Sequence, residues 1–188
     1  MSHIIRSTSF SPLRRTCLGA ALALSLAGCA GPSVQDYARE QPQLDLRQYF
    51  NGPLTAHGMF TDRSGKVVKR FTVRMTGSWK GDEGTLDEHF VYSDGSTQQR
   101  IWHLRHLGDG RYSGRADDVV GEAQGQSAGN AIRWSYVLAL PVNGRVWNVS
   151  MDDWMFLIDG RTLLNRTAMS KLGLHLGDVT LAIVKERR

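Results

Sequence analysis

From Leu54 onward, the chain consists of short runs that alternate apolar and polar residues, separated by turn sequences. In residues 67–79 the odd positions are mostly apolar and the even positions mostly polar, and residues 132–140 repeat the pattern. A period of two residues is typical of strands with one buried face. The turn sequences carry Gly, Asn and Asp, which supply the positive φ angles of tight hairpins. They are residues 62–65, 80–82, 93–95, 108–110, 143–144 and 159–160.

About eight to ten such strands follow one another, and no long helical pattern interrupts them. Consecutive hairpins favour neighbouring antiparallel strands, and a sheet that closes on itself has no exposed edge. The pattern therefore predicts an all-β fold, an up-and-down antiparallel β-barrel, as the domain of residues 44–188. A two-sheet sandwich is the alternative. Residues 44–52 predict a short helical turn before the first strand, because Asn51-Gly52 is a helix stop.

A different pattern occupies the N-terminus, where an apolar run ends in Leu26-Ala27-Gly28-Cys29. The run, residues 17–27, has eleven residues, whereas a helix that spans a bilayer needs about 20. Three arginines and no acidic residue precede it, as in a secretory signal. We therefore predict that residues 1–28 are a lipoprotein signal peptide, cut before an acylated Cys29. An ordinary signal peptide beside a chance cysteine is the alternative.

Acylation of Cys29 would attach everything that follows to a membrane. Each buried methylene contributes about 0.8 kcal/mol, and two or more acyl chains hold stably. Ala30, rather than an aspartate, follows the cysteine, which is similar to the sorting signal for the outer membrane. We expect an outer-membrane lipoprotein that faces the periplasm. Residues 29–43 contain Gly, Pro and many polar side chains, and they predict a coil that serves as a tether.

Removal of the leader changes what the composition allows. The 188-residue chain has a formal net charge of +5, and three of the positive charges lie in residues 1–28, so the mature body carries +2. A body this close to neutral gives no basis for nucleic-acid binding. Its one cysteine would be the acylated Cys29, so we expect no disulfide, thiolate metal site or cysteine nucleophile.

Characteristic short runs are spread over the mature chain, at residues 44–46, 49–52, 62–65, 79–81, 92–95, 116–119, 152–155 and 169–171. Together they resemble an uncharacterised Gram-negative lipoprotein family, which is defined by domain of unknown function 3833. That family has no established activity. Its members are often encoded beside genes for membrane fatty-acid modification, so the resemblance implies a lipid-related role by association.

The opening of the body is also similar to that of lipocalins. Residues 46–52 form a turn that ends in Tyr-Phe-Asn-Gly before the first strand. Lipocalins usually place a Trp two residues beyond the Gly, where this chain has Leu54. The likeness implies a calycin-type barrel.

Several charged residues fall on the apolar faces of predicted strands. Glu88 does so in residues 86–92, Asp118 in residues 112–120 and Asp153 in residues 146–158, while Arg100 shares a face with Trp102. Adjacent strand residues point in opposite directions, so each Asp-Asp pair places one carboxylate inward and is not a catalytic dyad. A lone buried charge is costly, so we expect these inward groups to pair or to hydrogen-bond.

Three interpretations of this inward set remain open. The first is a set of satisfied polar groups that fixes the register of the barrel. In the second, the set forms the polar end of a ligand cavity, in which Arg100 binds a carboxylate or phosphate headgroup bidentately. The third is general acid/base catalysis by Glu88 or Asp153, because burial raises the pKa of a carboxyl group.

Aromatic residues complete the candidate ligand-binding set of the barrel interior: Trp102, Trp134 and Trp147. Core packing is the alternative role for each of them. His103 and His106 are three residues apart and would lie on opposite faces of a strand, so a shared metal ion is not expected. The glycine-rich segments lack the Lys-Ser/Thr ending of a phosphate-binding loop. We expect no metal and no cofactor, and we assign no catalytic residue.

Three functional hypotheses follow. The leading one is a lipoprotein that binds or carries an apolar, lipid-like envelope molecule, with a fatty acid among the candidate ligands. The alternative is an envelope scaffold whose barrel is filled and whose protein partner is unknown. The third hypothesis is a lipid-modifying enzyme.

Overall fold

The computed structural model describes residues 31–186, which form ten antiparallel strands and two short helical turns. The strands are β1 (Gly52–Asp62), β2 (Val67–Lys80), β3 (Glu83–Tyr92), β4 (Thr97–Gly108), β5 (Arg111–Arg115), β6 (Ala123–Ala128), β7 (Ala131–Val142), β8 (Arg145–Leu157), β9 (Thr162–Lys171) and β10 (Leu174–Lys185). A 3-10 turn covers Val34–Tyr37, and α1 covers Leu46–Tyr49. Neither of these turns is long and apolar enough to cross a bilayer.

The strands close into one up-and-down barrel. Each strand pairs with the next in the chain, and β1 pairs with β10 from Leu54 opposite Lys185 to Asp62 opposite Gly177. The prediction of an all-β, up-and-down, calycin-like barrel is confirmed, and a two-sheet sandwich is excluded. Ser33–Arg188 form one compact unit that contains its own hydrophobic core.

The predicted alternation sets the inner face of the barrel. On β2, Phe71, Val73 and Met75 are buried, whereas their neighbours Thr72 and Arg74 are exposed. The same alternation runs through β7, where Ile132 and Trp134 are buried on either side of an exposed Arg133. Burial of these side chains stabilises the fold by about 25 cal/mol for each Å² of apolar surface that it removes from water.

Helix α1 closes one end of the barrel, which we call the helix end. Leu46 and Phe50 are buried there, and the Tyr49 hydroxyl lies 2.9 Å from the carbonyl oxygens of Arg161 and Ile183. The hairpins β2–β3, β4–β5, β6–β7 and β8–β9 lie at this end, because β1 starts beside α1 and the strands then alternate in direction. The hairpins β1–β2, β3–β4, β7–β8 and β9–β10 lie at the opposite end, which we call the rim end.

The segment that we predicted to be a coil tether is folded from Ser33 onward. The Ser33 hydroxyl accepts a hydrogen bond from the Gln35 N–H and caps the 3-10 turn. The Tyr37 ring packs edge-on against Trp154 and Phe156 on the outside of β8, at 5.9 and 5.1 Å between ring centroids. The prediction was wrong for this part, because Val34 is buried and the Tyr37 ring packs on β8. The leader, residues 1–28, and Cys29 lie outside the described residues.

A second correction concerns the strand that we predicted over residues 112–120. β5 ends at Arg115, and Asp118 lies in a turn rather than on a strand. The chain leaves β5 there and returns alongside β7, where Val119 bridges Leu138. The Asp118 carbonyl oxygen accepts a hydrogen bond from the Ala139 N–H. The inward direction of the Asp118 side chain therefore comes from the turn and not from strand alternation.

Candidate functional site

The barrel encloses a cavity of about 160 Å³. Aliphatic and aromatic side chains make up most of its wall, among them Phe60, Phe71, Phe90, Trp102 and Trp134. Leu46 and Phe50 line it at the helix end. Three charged side chains also line it: Glu88, Arg100 and Asp153. The cavity therefore combines an apolar body with a polar part, as small-molecule sites do.

The polar part begins with Glu88 and Arg100, which face each other across β3 and β4. Arg100 is held by Asp118: its Nε lies 3.0 Å from both carboxylate oxygens, and its Nη2 lies 2.7 Å from Oδ2. Gln98 donates a further hydrogen bond of 3.2 Å to Asp118. The Arg100 guanidinium also lies 5.5 Å from the centre of the Phe90 ring. Asp118 thus neutralises Arg100 and leaves Nη1 on the Glu88 side.

Glu88 has an incomplete set of partners. Its Oε2 lies 3.8 Å from Arg100 Nη1, which is too long for a hydrogen bond, and no donor among the described residues reaches this buried atom. Burial raises the pKa of Glu88 to about 7, and the attractions of Arg100 and the Trp102 indole only partly oppose that rise. A buried carboxylate oxygen without a donor is costly, so this group is able to take a proton or a hydrogen bond from a ligand.

Asp153 supplies a second carboxylate from β8. It lies opposite Trp134 of β7 and Thr167 of β9, and the Asn165 amide donates a hydrogen bond to it. Burial raises the pKa of Asp153 to about 7, against hydrogen bonds from Asn165 and Thr167 that lower it. Two carboxyl groups on the wall of one cavity therefore titrate near neutrality.

The structure brings together most of the residues that we predicted for the site. Glu88, Arg100, Trp102, Trp134 and Asp153 line the cavity. Asp118 stands behind Arg100 and binds it. The Asp152 carboxylate points outward and binds Arg133 at 2.6 Å, as the alternation of a strand requires.

Trp147 is a correction, because it does not belong to the cavity wall. It has the inward alternation of Val149 and Met151, but β8 extends beyond the barrel at this point, and the Trp147 side chain is 41% exposed. The Nζ of Lys171 lies 4.1 Å from the centre of its ring. Alternation gives the direction of a side chain but not whether the facing strands reach that far.

Asn165 and Thr167 are the site residues that sequence reasoning missed. Both line the cavity and are buried, and both lie on the inner face of β9 beside Leu163. Their position beside Asp153 follows from the register of β8 against β9. That register cannot be read from the sequence. Among residues 31–186, no group of three or more His, Cys, Asp or Glu side chains is arranged to hold a metal ion.

The profile of a family described as "Protein of unknown function (DUF3833)" matches residues 23–185. The chain belongs to the DUF3833 family. The resemblance of its short runs to domain of unknown function 3833 is confirmed, and the family description assigns no activity. A comparison with curated proteins finds no match for this DUF3833 chain.

A solved structure shares the fold of this DUF3833 barrel. It is the S-type phycobiliprotein lyase CPES from Guillardia theta, which superposes with a TM-score of 0.54 at 5% sequence identity. The alignment covers 84% of this chain and 99% of the lyase. At this identity the likeness establishes a common barrel fold and no common activity.

Proposed function

We propose that this protein is an outer-membrane lipoprotein, anchored through an acylated Cys29, whose barrel binds a small apolar molecule. The observation that carries the binding proposal is the cavity of about 160 Å³ with an apolar wall and an unpartnered carboxylate oxygen on Glu88. The alternative of a scaffold with a filled barrel is disfavoured by the same cavity. The anchor rests on Leu26-Ala27-Gly28-Cys29 and the short apolar run before it.

The volume limits the ligand. An apolar cavity of about 150 Å³ is large enough for a benzene molecule, and drug-sized ligands occupy about 300 Å³ or more. The barrel therefore takes a small molecule or the end of one acyl chain, rather than an entire phospholipid. The walls that would contact it are Phe71, Phe90, Trp102 and Trp134.

The charges limit the polar end of the ligand. Arg100 is already bound to Asp118 through Nε and Nη2, so an anionic headgroup would have to compete for it. Glu88 lies 3.8 Å from Arg100 Nη1, and its Oε2 accepts no hydrogen bond from a described residue. Asp153 accepts a hydrogen bond from the Asn165 amide rather than from a guanidinium. We therefore propose that the ligand ends in a hydrogen-bond donor, a hydroxyl or an amine, in place of the carboxylate or phosphate that Arg100 alone would favour.

A matched series of ligands tests both parts of this proposal. Hexane, hexanol, hexylamine and hexanoate share one apolar chain and differ in the polar end, and binding to the barrel is followed by tryptophan fluorescence and calorimetry. We expect hexanol and hexylamine to bind more tightly than hexanoate. If none of the four binds, the binding function is rejected. If hexanoate binds best, the cavity binds apolar molecules but the donor assignment is rejected.

Two variants assign the preference to Glu88. In Glu88→Gln the carboxylate is lost, so the preference for hexylamine over hexane should fall about tenfold, equivalent to about 1.4 kcal/mol. Asp87→Asn on the same strand is the matched control, because Asp87 faces outward and bonds to Gln99. An equal change in both variants would contradict the role of Glu88.

The anchor has its own test. The signal-peptidase inhibitor globomycin should cause the precursor to accumulate, and Cys29→Ser should remain uncut and unlabelled by radioactive palmitate. Processing that continues in both cases would reject the lipoprotein assignment and leave the barrel proposal intact. Fractionation of the envelope then tests the outer-membrane location.

A second candidate function is an enzyme that acts on lipids by general acid/base catalysis. It is favoured by one observation, namely that Glu88 and Asp153 line one cavity and both have a pKa of about 7. A pKa near the working pH suits proton transfer. Loss of turnover in both Glu88→Gln and Asp153→Asn, with the fold retained, would support this candidate, and unchanged turnover would remove it.

A further inference from the structure

Two neighbouring hairpins at the rim end expose six large apolar side chains, which we call the rim patch. The patch consists of Val142, Val146 and Trp147 from the β7–β8 hairpin and Leu172, Leu174 and Leu176 from the β9–β10 hairpin. β8 and β9 are adjacent strands, and the Lys171 side chain lies over the Trp147 ring, which joins the two hairpins. Single apolar residues on a surface are ordinary, but six large ones on two adjacent hairpins favour an interaction site.

Leu172 at the tip of the β9–β10 hairpin is doubly unfavourable where it stands. Its φ is +50°, a left-handed conformation that suits Gly or Asn and disfavours Leu. Its side chain is 93% exposed, so packing gives no compensation. Asn followed by Gly would satisfy this turn, and the β7–β8 hairpin has that pair in Asn143 and Gly144. A strained apolar residue held in water indicates a functional constraint.

The charged side chains within the two hairpins are basic. Residues 141–149 and 170–177 contain Arg145 and Lys171 and no acidic residue, while His175 pairs with Asp178 just outside the patch, at 3.2 Å. Aliphatic side chains with a Trp and flanking cations are the composition of proteins that bind at a bilayer interface. Basic side chains add attraction to anionic lipids, of about 1 kcal/mol each near the surface.

We propose that the rim patch docks on the surface of a phospholipid bilayer that contains anionic lipids, and that it inserts Leu172 and Leu174 among the headgroups. This contact is additional to the proposed anchor at Cys29 and does not depend on the cavity. It would present the rim end of the barrel to the membrane and leave the helix end, which α1 closes, facing away.

Flotation with vesicles tests the docking without the anchor. Ser33–Arg188 contain the closed barrel and its core, so this part can be purified as a soluble body. We expect it to float with vesicles of phosphatidylethanolamine and phosphatidylglycerol, more weakly with phosphatidylcholine alone, and less at high salt. If the protein floats with none of these vesicles, the proposal is overturned. A patch that binds only another protein would give that result.

A pair of variants assigns the binding to the patch. Leu172→Asn keeps the left-handed turn while removing the apolar side chain, and it should weaken vesicle binding about tenfold or more. Ile158→Asn is the matched control, because Ile158 is 52% exposed but lies at the helix end. Equal binding by the two variants overturns the proposal.

The mature lipoprotein, reconstituted in vesicles through its own anchor, gives a second readout. An environment-sensitive fluorophore is attached to Leu172→Cys and, separately, to Lys80→Cys at the helix end. Nitroxide-labelled lipids should quench the fluorophore at position 172 several-fold more than that at position 80. Equal quenching at the two positions contradicts the orientation that the patch requires.

Discussion

Arg100 and Asp118 are bound to each other by three nitrogen–oxygen contacts of 2.7 to 3.0 Å, although they lie 18 residues apart on a strand and in a turn. The contact ties the segment after β5 to the wall of the cavity. It also uses two of the guanidinium nitrogens, so Arg100 acts mainly as a structural partner. The polar character of the cavity is therefore set by Glu88 and Asp153.

Replacement of Asp118 by Asn should destabilise the barrel. The Arg100 side chain is only 15% exposed, and removal of its carboxylate leaves a buried cation that Glu88 approaches no nearer than 3.8 Å. Breaking such a pair costs about 3 kcal/mol. Urea unfolding measures the loss, with the exposed neighbour Asp117→Asn as control. Equal stability of the two variants would show that the contact contributes nothing.

The pKa of Glu88 makes stability depend on pH in a defined direction. The pKa of an ordinary exposed glutamate is 4.5, whereas that of Glu88 in the barrel is about 7. The folded chain therefore binds this proton more tightly than the unfolded chain does. This contribution to stability is fully present below about pH 4.5 and is lost as the pH rises through about 7. Asp153, whose pKa is also raised to about 7, acts in the same direction.

Glu88→Gln should therefore flatten the pH profile. Between about pH 5 and about pH 8 the free energy of unfolding of the native protein should fall, and the variant should lose about 2 kcal/mol less over that interval. Urea titrations at the two pH values measure the difference. A variant profile that parallels the native one would mean that Glu88 does not carry the raised pKa.

Much of the barrel was predictable because its strands have one buried face. The alternation in β2 and β7 gave the inner residues directly, and Asp-Asp at 152–153 separated into one outward and one inward carboxylate, as a strand requires. Glu88 and Arg100 were found in the same way, since a charge on an apolar face stands out. These patterns lie within single strands, so they can be interpreted without knowing the register between strands.

The errors arose where the outcome depends on non-local contacts. Asp118 looked like a strand residue, but β5 ends at Arg115 and the chain turns so that Val119 bridges Leu138 of β7. Trp147 has the alternation of the inner face, but it lies beyond the facing strands. Asn165 needs the β8–β9 register to be placed beside Asp153. The positions of these three residues depend on the register of neighbouring strands and on where those strands end.

Gly77→Ala should loosen the helix end. A Cβ at this position would lie 1.8 Å from the Phe50 carbonyl oxygen, and backbone at the end of α1 cannot yield as a flexible side chain can. Overpacking of this kind costs about 3 kcal/mol. Thermal unfolding of Gly77→Ala beside Gly160→Ala, where a Cβ meets nothing within 4 Å, measures the effect. An unchanged midpoint in Gly77→Ala would contradict this packing of α1.

Leu172→Asn should increase the stability of the barrel even as it weakens vesicle binding. Leu172 has a φ of +50°, and a left-handed residue other than Gly or Asn costs about 1 kcal/mol or more. The free energy of unfolding should rise by about 1 kcal/mol, measured in urea. Leu172→Ala is the control, because it removes the side chain but keeps the strain. If the Asn variant is no more stable than the Ala variant, the turn is not strained.

Native mass spectrometry of the mature protein, isolated from its own envelope in mild detergent, tests most directly whether the barrel holds a small apolar molecule with a hydrogen-bond donor at one end. We predict one bound molecule per chain, small enough for a cavity of about 160 Å³, which carries a hydroxyl or an amine and is lost on unfolding. A barrel that is empty in every preparation, or one that carries only an anionic lipid, would contradict the account.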